Sequence, residues 1–390
     1  MLIIRHARLV TAVSDLPDTA VLIEGNRIRA VGPSVQMPPI AGAAEIDARE
    51  LLLVPGYIDL QLNGAFGSDF TADPDSIWPV SARLPQFGVT SYLPTVITSP
   101  LARIEEARQV VLNGRPANYR GAEPLGLHVE GPFLNPGKKG AHNPAYLRAP
   151  DDTAVANWSP ATGVRLVTLA PELTGATAVI EELASRGVVV SGGHSLATYA
   201  EAQAGFAAGV TYGTHLFNAM PPLGHREPGL VGALLADNGR VAGIIPDGIH
   251  VHPAMIQVAW KCKGPYGLNI VSDAMAALGM PPGTYLLNDF EATVTEQECR
   301  LADGTLAGSI LPLDTAVRNL MTYTACTLAE ALATVTITPA RLLNLAHERG
   351  HIAPGYIADM LLLDQELQVV HTIANGDIVY TADIHKRSAA

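Results

Sequence analysis

The sequence predicts an α/β protein, a (β/α)8 TIM-like barrel with a small β-sandwich domain built from the N- and C-terminal segments. Three observations carry that prediction. Short β-branched runs recur eight times through the middle of the chain and alternate with helix-length segments; nearly every run ends in a residue able to bind a metal or move a proton; and the two ends of the chain share a different, hairpin-like rhythm.

At 390 residues, with 48% hydrophobic and 16% charged content, the chain can bury a large core, and its 36 Gly and 29 Pro imply tight turns between short elements. One large domain with a small accessory one fits that length. A net charge of -12 argues against a nucleic acid partner, because counterion release needs clustered Lys and Arg. Cys262, Cys299 and Cys326 are far apart and form no CxxC pair, so they read as reduced thiols in a cytoplasmic protein. The opening MLIIRHARLV has His6 and two Arg breaking its apolar run. No stretch elsewhere approaches the length of apolar residues needed to span a bilayer, so the reading is neither signal peptide nor membrane anchor.

The first strands are expected at Leu2–Ile4, Val21–Glu24 and Arg27–Val31, with a tight turn at Gly25-Asn26. The last lie at Met360–Leu363, Val369–Ile373 and Ile378–Tyr380, around an Asn375-Gly376 turn. Neither set can bury a face alone, so residues 1–53 and 348–390 are expected to meet as one discontinuous β domain. The barrel then spans 54–347.

Its eight strands are expected at Tyr57–Leu60, Val89–Leu93, Leu125–Val129, Leu166–Leu169, Val188–Ser191, Val210–Thr214, Ala242–Ile245 and Asn269–Ser272. Helices are expected at Pro100–Asn113, Ala176–Arg186, Ser195–Ala207 and Pro253–Lys263. The polar residues at the strand ends mark the chemistry. Asp59, Gln61 and Asn63 accompany the first run, Glu130 the third, Glu172 the fourth, His194 the fifth, His215 the sixth, Asp247 and His250 the seventh, and Asp273 the eighth. Strand C-termini of a barrel converge on one face, so these residues become neighbours.

Glu130, His194 and His215 make a set of one carboxylate and two imidazoles, suited to zinc or a similar cation with a site left for water. Their spacing excludes a helical HExxH site. A cation lowers the pKa of a coordinated water toward ~7, and Asp273 in VSDAMA is the candidate to take and return the proton. Singly, each His can cap a strand and Asp273 can cap a helix; their joint convergence favours the metal site.

The residues also carry a resemblance. PGYIDLQLNGAFGSDF from Pro55, YLPTVITS from Tyr92, LGLHVEGPFLNPGKKGAHNP from Leu125 and TLAPE from Thr168 are similar, in order, to the N-acetylglucosamine-6-phosphate deacetylases of the amidohydrolase superfamily. So are SGGHS at Ser191, THLFNAMPPLGHREPGLVGA at Thr214, GIIPDGIHV at Gly243, VSDAM at Val271 and DGTLAGS at Asp303. The resemblance implies a metal-dependent hydrolysis of an acetamide. Glu130, His194 and His215 would be the ligands, Asp273 the base and acid, and His142 the group that polarises the carbonyl. It also implies substrate contacts from Ala141, Asn218, Ala219, Arg226, Asp247, Gly248, Ile249, His250, Leu306, Ala307 and Gly308, with Arg226 and His250 at the 6-phosphate and sugar.

Arg226 has independent merit, because a guanidinium fork matches phosphate oxygens, although an Arg between His225 and Glu227, taken alone, is more often a solvated surface ion pair. Where many relatives in the superfamily have HxH after the first strand, this chain has Gln61 and Asn63, poor zinc ligands, so one divalent ion per subunit is expected. Zinc comes first; iron, manganese, nickel and cobalt accept the same donors. The expected partner is a small phosphorylated amino sugar, with no nucleic acid and no membrane, and the resemblance implies a homodimer. A deacetylase of the galactosamine epimer, another amidohydrolase, or a non-catalytic sugar-phosphate-binding protein are the competing readings.

Overall fold

The computed structural model of the protein describes residues 1–383. Parallel strands at Tyr57–Leu62, Val89–Ile97, Leu127–Glu130, Val164–Leu169, Val189–Gly192, Val210–Gly213, Val241–Ile244 and Leu268–Ile270 follow one another round a barrel in chain order. These runs are β-branched and almost wholly buried because one face fills the barrel interior and the other lies under helices. The ring closes where the Asp273 N–H donates to the Gln61 carbonyl at 2.9 Å and Leu62 pairs with Ala274.

Most element ends shift by a residue or two from the expected bounds, but the first two strands extend to Leu2–Thr11 and Ser14–Glu24, seven residues beyond expectation each, and the second barrel strand runs on to Ile97. A helix also shifts after His194, where it starts at Tyr199 instead of Ser195. Thr198 caps it, with Glu201 closing a capping box, while residues 195–197 remain a loop. The helix after His252 ends at the expected Lys263, where Gly264 leaves helical geometry (φ 59°, ψ −169°), and a short second turn follows to Gly267.

The two ends of the chain do meet. Met360–Leu363 lies antiparallel to Leu52–Pro55, and the eight end strands form one continuous ladder. Leu2–Thr11 pairs with Ala44–Asp47 over its first half and with Leu52–Pro55 over its second. Ile4, Leu9, Val21, Ile23, Leu53, Met360, Leu362 and Ile373 fill a core separate from the barrel's. Asn375 and Gly376 both take left-handed φ (50° and 84°), as a two-residue hairpin turn between twisted strands requires. Residues 384–390, the end of the stretch assigned to this domain, lie outside the described residues.

Between Asp273 and these strands the chain adds two features without a counterpart in the sequence reading. A three-stranded antiparallel sheet, Gly283–Leu287, Phe290–Val294 and Cys299–Leu301, packs through Leu287, Ala292, Val294 and Cys299 on Ile97, Ala141 and Met275 and caps the C-terminal face of the barrel. Helices Leu313–Thr324, Leu328–Val335 and Ile337–Leu342 follow it.

Candidate active site

Glu130 is the last residue of the third barrel strand, His194 and His215 lie two residues past the fifth and sixth, and Asp273 lies three past the eighth. Three of the four take backbone angles that side chains rarely adopt: φ is 48° at His194, 30° at His215 and 47° at Asp273. Such strain persists only where surrounding structure enforces it, and it turns these side chains inward together. All four are buried.

One oxygen of Glu130 lies 3.1 Å from His215 Nε2 and 3.3 Å from His194 Nε2, and the two imidazole nitrogens are 3.0 Å apart. Those separations approach the edge, about 3.4 Å, of a tetrahedron with ligand bonds of about 2.0–2.1 Å. The donor chemistry agrees. His194 Nδ1 lies 2.8 Å from the Lys138 carbonyl, which only accepts, so Nδ1 bears the proton and Nε2 offers its lone pair to the common point. The residues therefore fit a divalent cation. Burial is the largest influence on the Glu130 carboxyl and would raise it, but its close contacts with His194 and His215 hold it well below its ordinary value.

The amides beside the first strand join this ring. Gln61 Nε2 donates to Glu130 Oε1 at 3.0 Å, and Asn63 Nδ2 donates to Asp273 Oδ1 at 2.8 Å. Their carbonyl oxygens, Gln61 Oε1 and Asn63 Oδ1, are buried without a protein partner. Burial pushes the Asp273 carboxyl up to about 6, against the opposing pull of His215.

His142 reaches the site on the loop after Glu130. The Thr98 backbone N–H donates to its Nδ1 at 3.3 Å, and the Thr98 hydroxyl lies 2.8 Å from the same atom. A backbone N–H cannot accept, so the ring proton sits on Nε2, which lies 3.7 Å from Glu130 Oε2. Burial first, and then the charge of His194, lowers His142 to about 3, so it is a neutral donor. Thr98 had no sequence signal; its role depends on barrel geometry.

A cavity of about 460 Å³ joins these groups beneath the cap. Of the expected contacts, Ala141, Asn218, Ala219, His250, Leu306 and Gly308 lie on its wall along with Asn63, Lys138 and Arg300. Others stand elsewhere. Arg226 is exposed and off the wall. Asp247, Gly248 and Ile249 border a neighbouring cavity behind His250, because Asp247 is turned back to accept from the Ile249 and His250 amides and from His250 Nδ1 at 2.6 Å. Against burial, which would raise it, His250 holds the Asp247 carboxyl below its ordinary value. Ala307 is fully buried in the apolar cluster under the cap.

Asp59 and Glu172 also leave the ring. Asp59 is buried below it, where its Oδ1 accepts from the Gln61 and Ser272 amides. Glu172 accepts from Ser195 Oγ, the Leu196 amide and Asn135 Nδ2, fixing the loop that follows His194 to the one that carries His142.

Fold and site together define an amidohydrolase: residues 52–379 match the Amidohydrolase family, and the chain belongs to it. Members of this family use a divalent metal, and Glu130, His194 and His215 form a group able to bind one. The chain is 40% identical over 353 residues to the N-acetylglucosamine-6-phosphate deacetylase of Danio rerio, covering 86% of each. It is 34% identical over 380 residues to that of Lysinibacillus sphaericus, with 97% of each covered. Among solved structures it resembles a mutant of the Mycobacterium smegmatis enzyme in complex with N-acetyl-D-glucosamine-6-phosphate, at 32% identity and a TM-score of 0.89, covering 97% of this chain and 99% of that one.

Proposed function

We propose that this chain hydrolyses the acetamide of N-acetyl-D-glucosamine 6-phosphate to D-glucosamine 6-phosphate and acetate. The observation that carries the reading is the meeting of a Glu-His-His donor set, a carboxylate and a neutral imidazole donor on one cavity, in a chain similar throughout to such deacetylases. When bound, one divalent ion, zinc foremost, supplies an acidified water and Lewis acidity at Glu130, His194 and His215.

The chain's own side chains do the rest. A carboxylate oxygen of Asp273 takes the proton of the attacking water and returns it to the nitrogen of the departing amine. The Nε2–H of His142 donates to the carbonyl oxygen as negative charge develops there, and its neutrality at ordinary pH spares the site a competing cation. Ala141, Asn218, Ala219, Leu306 and Gly308 hold the sugar, and His250 binds toward the phosphate with Asp247 fixing its ring.

The chain acts as a cytoplasmic homodimer, and its exposed Arg226 serves the phosphate site across the subunit boundary. Among the described residues, no helix is long and apolar enough to cross a membrane.

Acetate release is the test. After chelation and defined return of zinc, the protein should release acetate from N-acetylglucosamine 6-phosphate faster than from the galacto epimer or from unphosphorylated N-acetylglucosamine. Equal rates on all three would remove the phosphate and epimer assignments, and none on any would remove the reaction.

A further inference from the structure

The cavity has an electrostatic problem that its floor does not solve. A divalent ion at the floor would offset Glu130 and Asp273, which both face the cavity, but a sugar phosphate brings about two more negative charges at neutral pH, and Lys138 on the wall offers one point charge and no fork. Arg226 is not on the wall of its own chain. The arginine that is on the wall, among the described residues, is Arg300, on the last strand of the cap.

The cap holds Arg300 in a defined pose. Its Nε and Nη2 donate to the two carboxylate oxygens of Glu298 at 2.8 and 2.7 Å, and Nη1 donates to the Gly304 carbonyl at 2.8 Å. A guanidinium has five N–H groups, so two remain uncommitted. Arg300 also pairs across the ladder with Leu306, another residue of the wall. Glu298 does not line the cavity, so an anion inside meets the guanidinium and not its counter-charge. Glu296 and Gln297, just before this strand, line one small cavity with Asp247 and Ile249, which sets this end of the cap beside the loop that carries His250. A fork oriented in advance loses less freedom on binding than a solvated chain would.

We propose that Arg300 is a specificity-determining residue that binds the phosphate monoester of the substrate from the cap, alongside His250. The inference rests on the deacetylase reading and deepens it: one chain carries its own guanidinium for the phosphate, independent of Arg226. Glu298 and the Gly304 carbonyl are positioning groups that keep the fork turned to the cavity. The same contact discriminates against unphosphorylated N-acetylamino sugars, which leave the guanidinium without an anion.

Zinc-loaded wild type, R300Q and R300K are compared in two measurements: steady-state turnover of N-acetylglucosamine 6-phosphate, and calorimetric affinity for glucosamine 6-phosphate and for glucosamine. Losing one charge-assisted contact should raise KM for the phosphorylated substrate by about tenfold or more in R300Q, with kcat within about twofold of wild type. R300K should fall between. Affinity for glucosamine 6-phosphate should weaken in parallel while that for glucosamine stays unchanged. KM and affinity within about twofold of wild type in both variants would overturn the proposal, as would equal losses for the phosphorylated and unphosphorylated sugars. If R300Q does not fold, R300K decides by the same criteria, since a lysine cannot reproduce the fork. Wild type that releases no acetate would sink the deacetylase reading instead, and the glucosamine 6-phosphate titrations would still report on Arg300.

Discussion

Asn63 Nδ2 donates to Asp273 Oδ1 at 2.8 Å across a separation of 210 residues, so the first strand of the barrel orients the carboxylate that follows the last. The donor also favours the charged form of Asp273, opposing the burial that raises it to about 6. A base must be ionised to act, so activity should fall on the acid side of this value. Removing the donor in Asn63→Ala should raise the Asp273 pKa and move the acid limb of kcat/KM to higher pH, with about a tenfold loss at the optimum. An acid limb at the same pH as wild type would show that Asn63 does not govern this carboxylate.

Asp273→Asn should retain its zinc, because Asp273 is outside the Glu130, His194 and His215 group. Turnover should fall by roughly two to four orders of magnitude, the usual share of general acid–base catalysis. Elemental analysis of the purified variant beside acetate release checks both halves. Near-normal turnover would take Asp273 out of the mechanism.

Asp59 makes a prediction about stability alone. Burial pushes its carboxyl up from 3.8 to about 7, opposed by donors from Ser272 and Gln61. The folded state thus binds this proton more tightly than the unfolded chain, and the associated stability is complete below about pH 4 and lost as pH rises through about 7. Asp59→Asn keeps an acceptor for the two amides without that loss. Relative to wild type, its Tm should therefore rise between about pH 5 and about pH 8. A constant Tm difference across that range would place the Asp59 pKa near that of an ordinary carboxyl.

Arg226→Ala should raise KM for the phosphorylated substrate and leave kcat nearly unchanged, if a second subunit brings this exposed side chain to the cavity. Sedimentation should report a dimer. A monomer, or an unchanged KM, would return Arg226 to the solvated surface.

The sequence revealed the parts of the molecule set by local pattern. Eight β-branched runs read as barrel strands because burial on both faces leaves them little else, and polar residues at their ends stood out against that background. Glu130, His194, His215 and Asp273 were therefore visible as a set. Side-chain aim was less legible. Asp247 sits at a strand end like the others, but an Asx turn swings it behind His250. Glu172 likewise spends its oxygens on Ser195 and Leu196. The cap was missed because Tyr285, Leu287, Phe290, Ala292 and Val294 sit in short antiparallel strands inserted after the βα rhythm has ended. Arg300 and Thr98 gain their positions from that cap and from barrel closure, which bring together residues no window of sequence contains.

One divalent ion at Glu130, His194 and His215 is proposed to make this cavity a hydrolase. The most direct measurement is acetate release from N-acetylglucosamine 6-phosphate as metal-free protein is titrated with zinc. Activity should rise from near zero to a plateau at one equivalent per chain. Full activity in the stripped protein, or a plateau only at two equivalents, would contradict it.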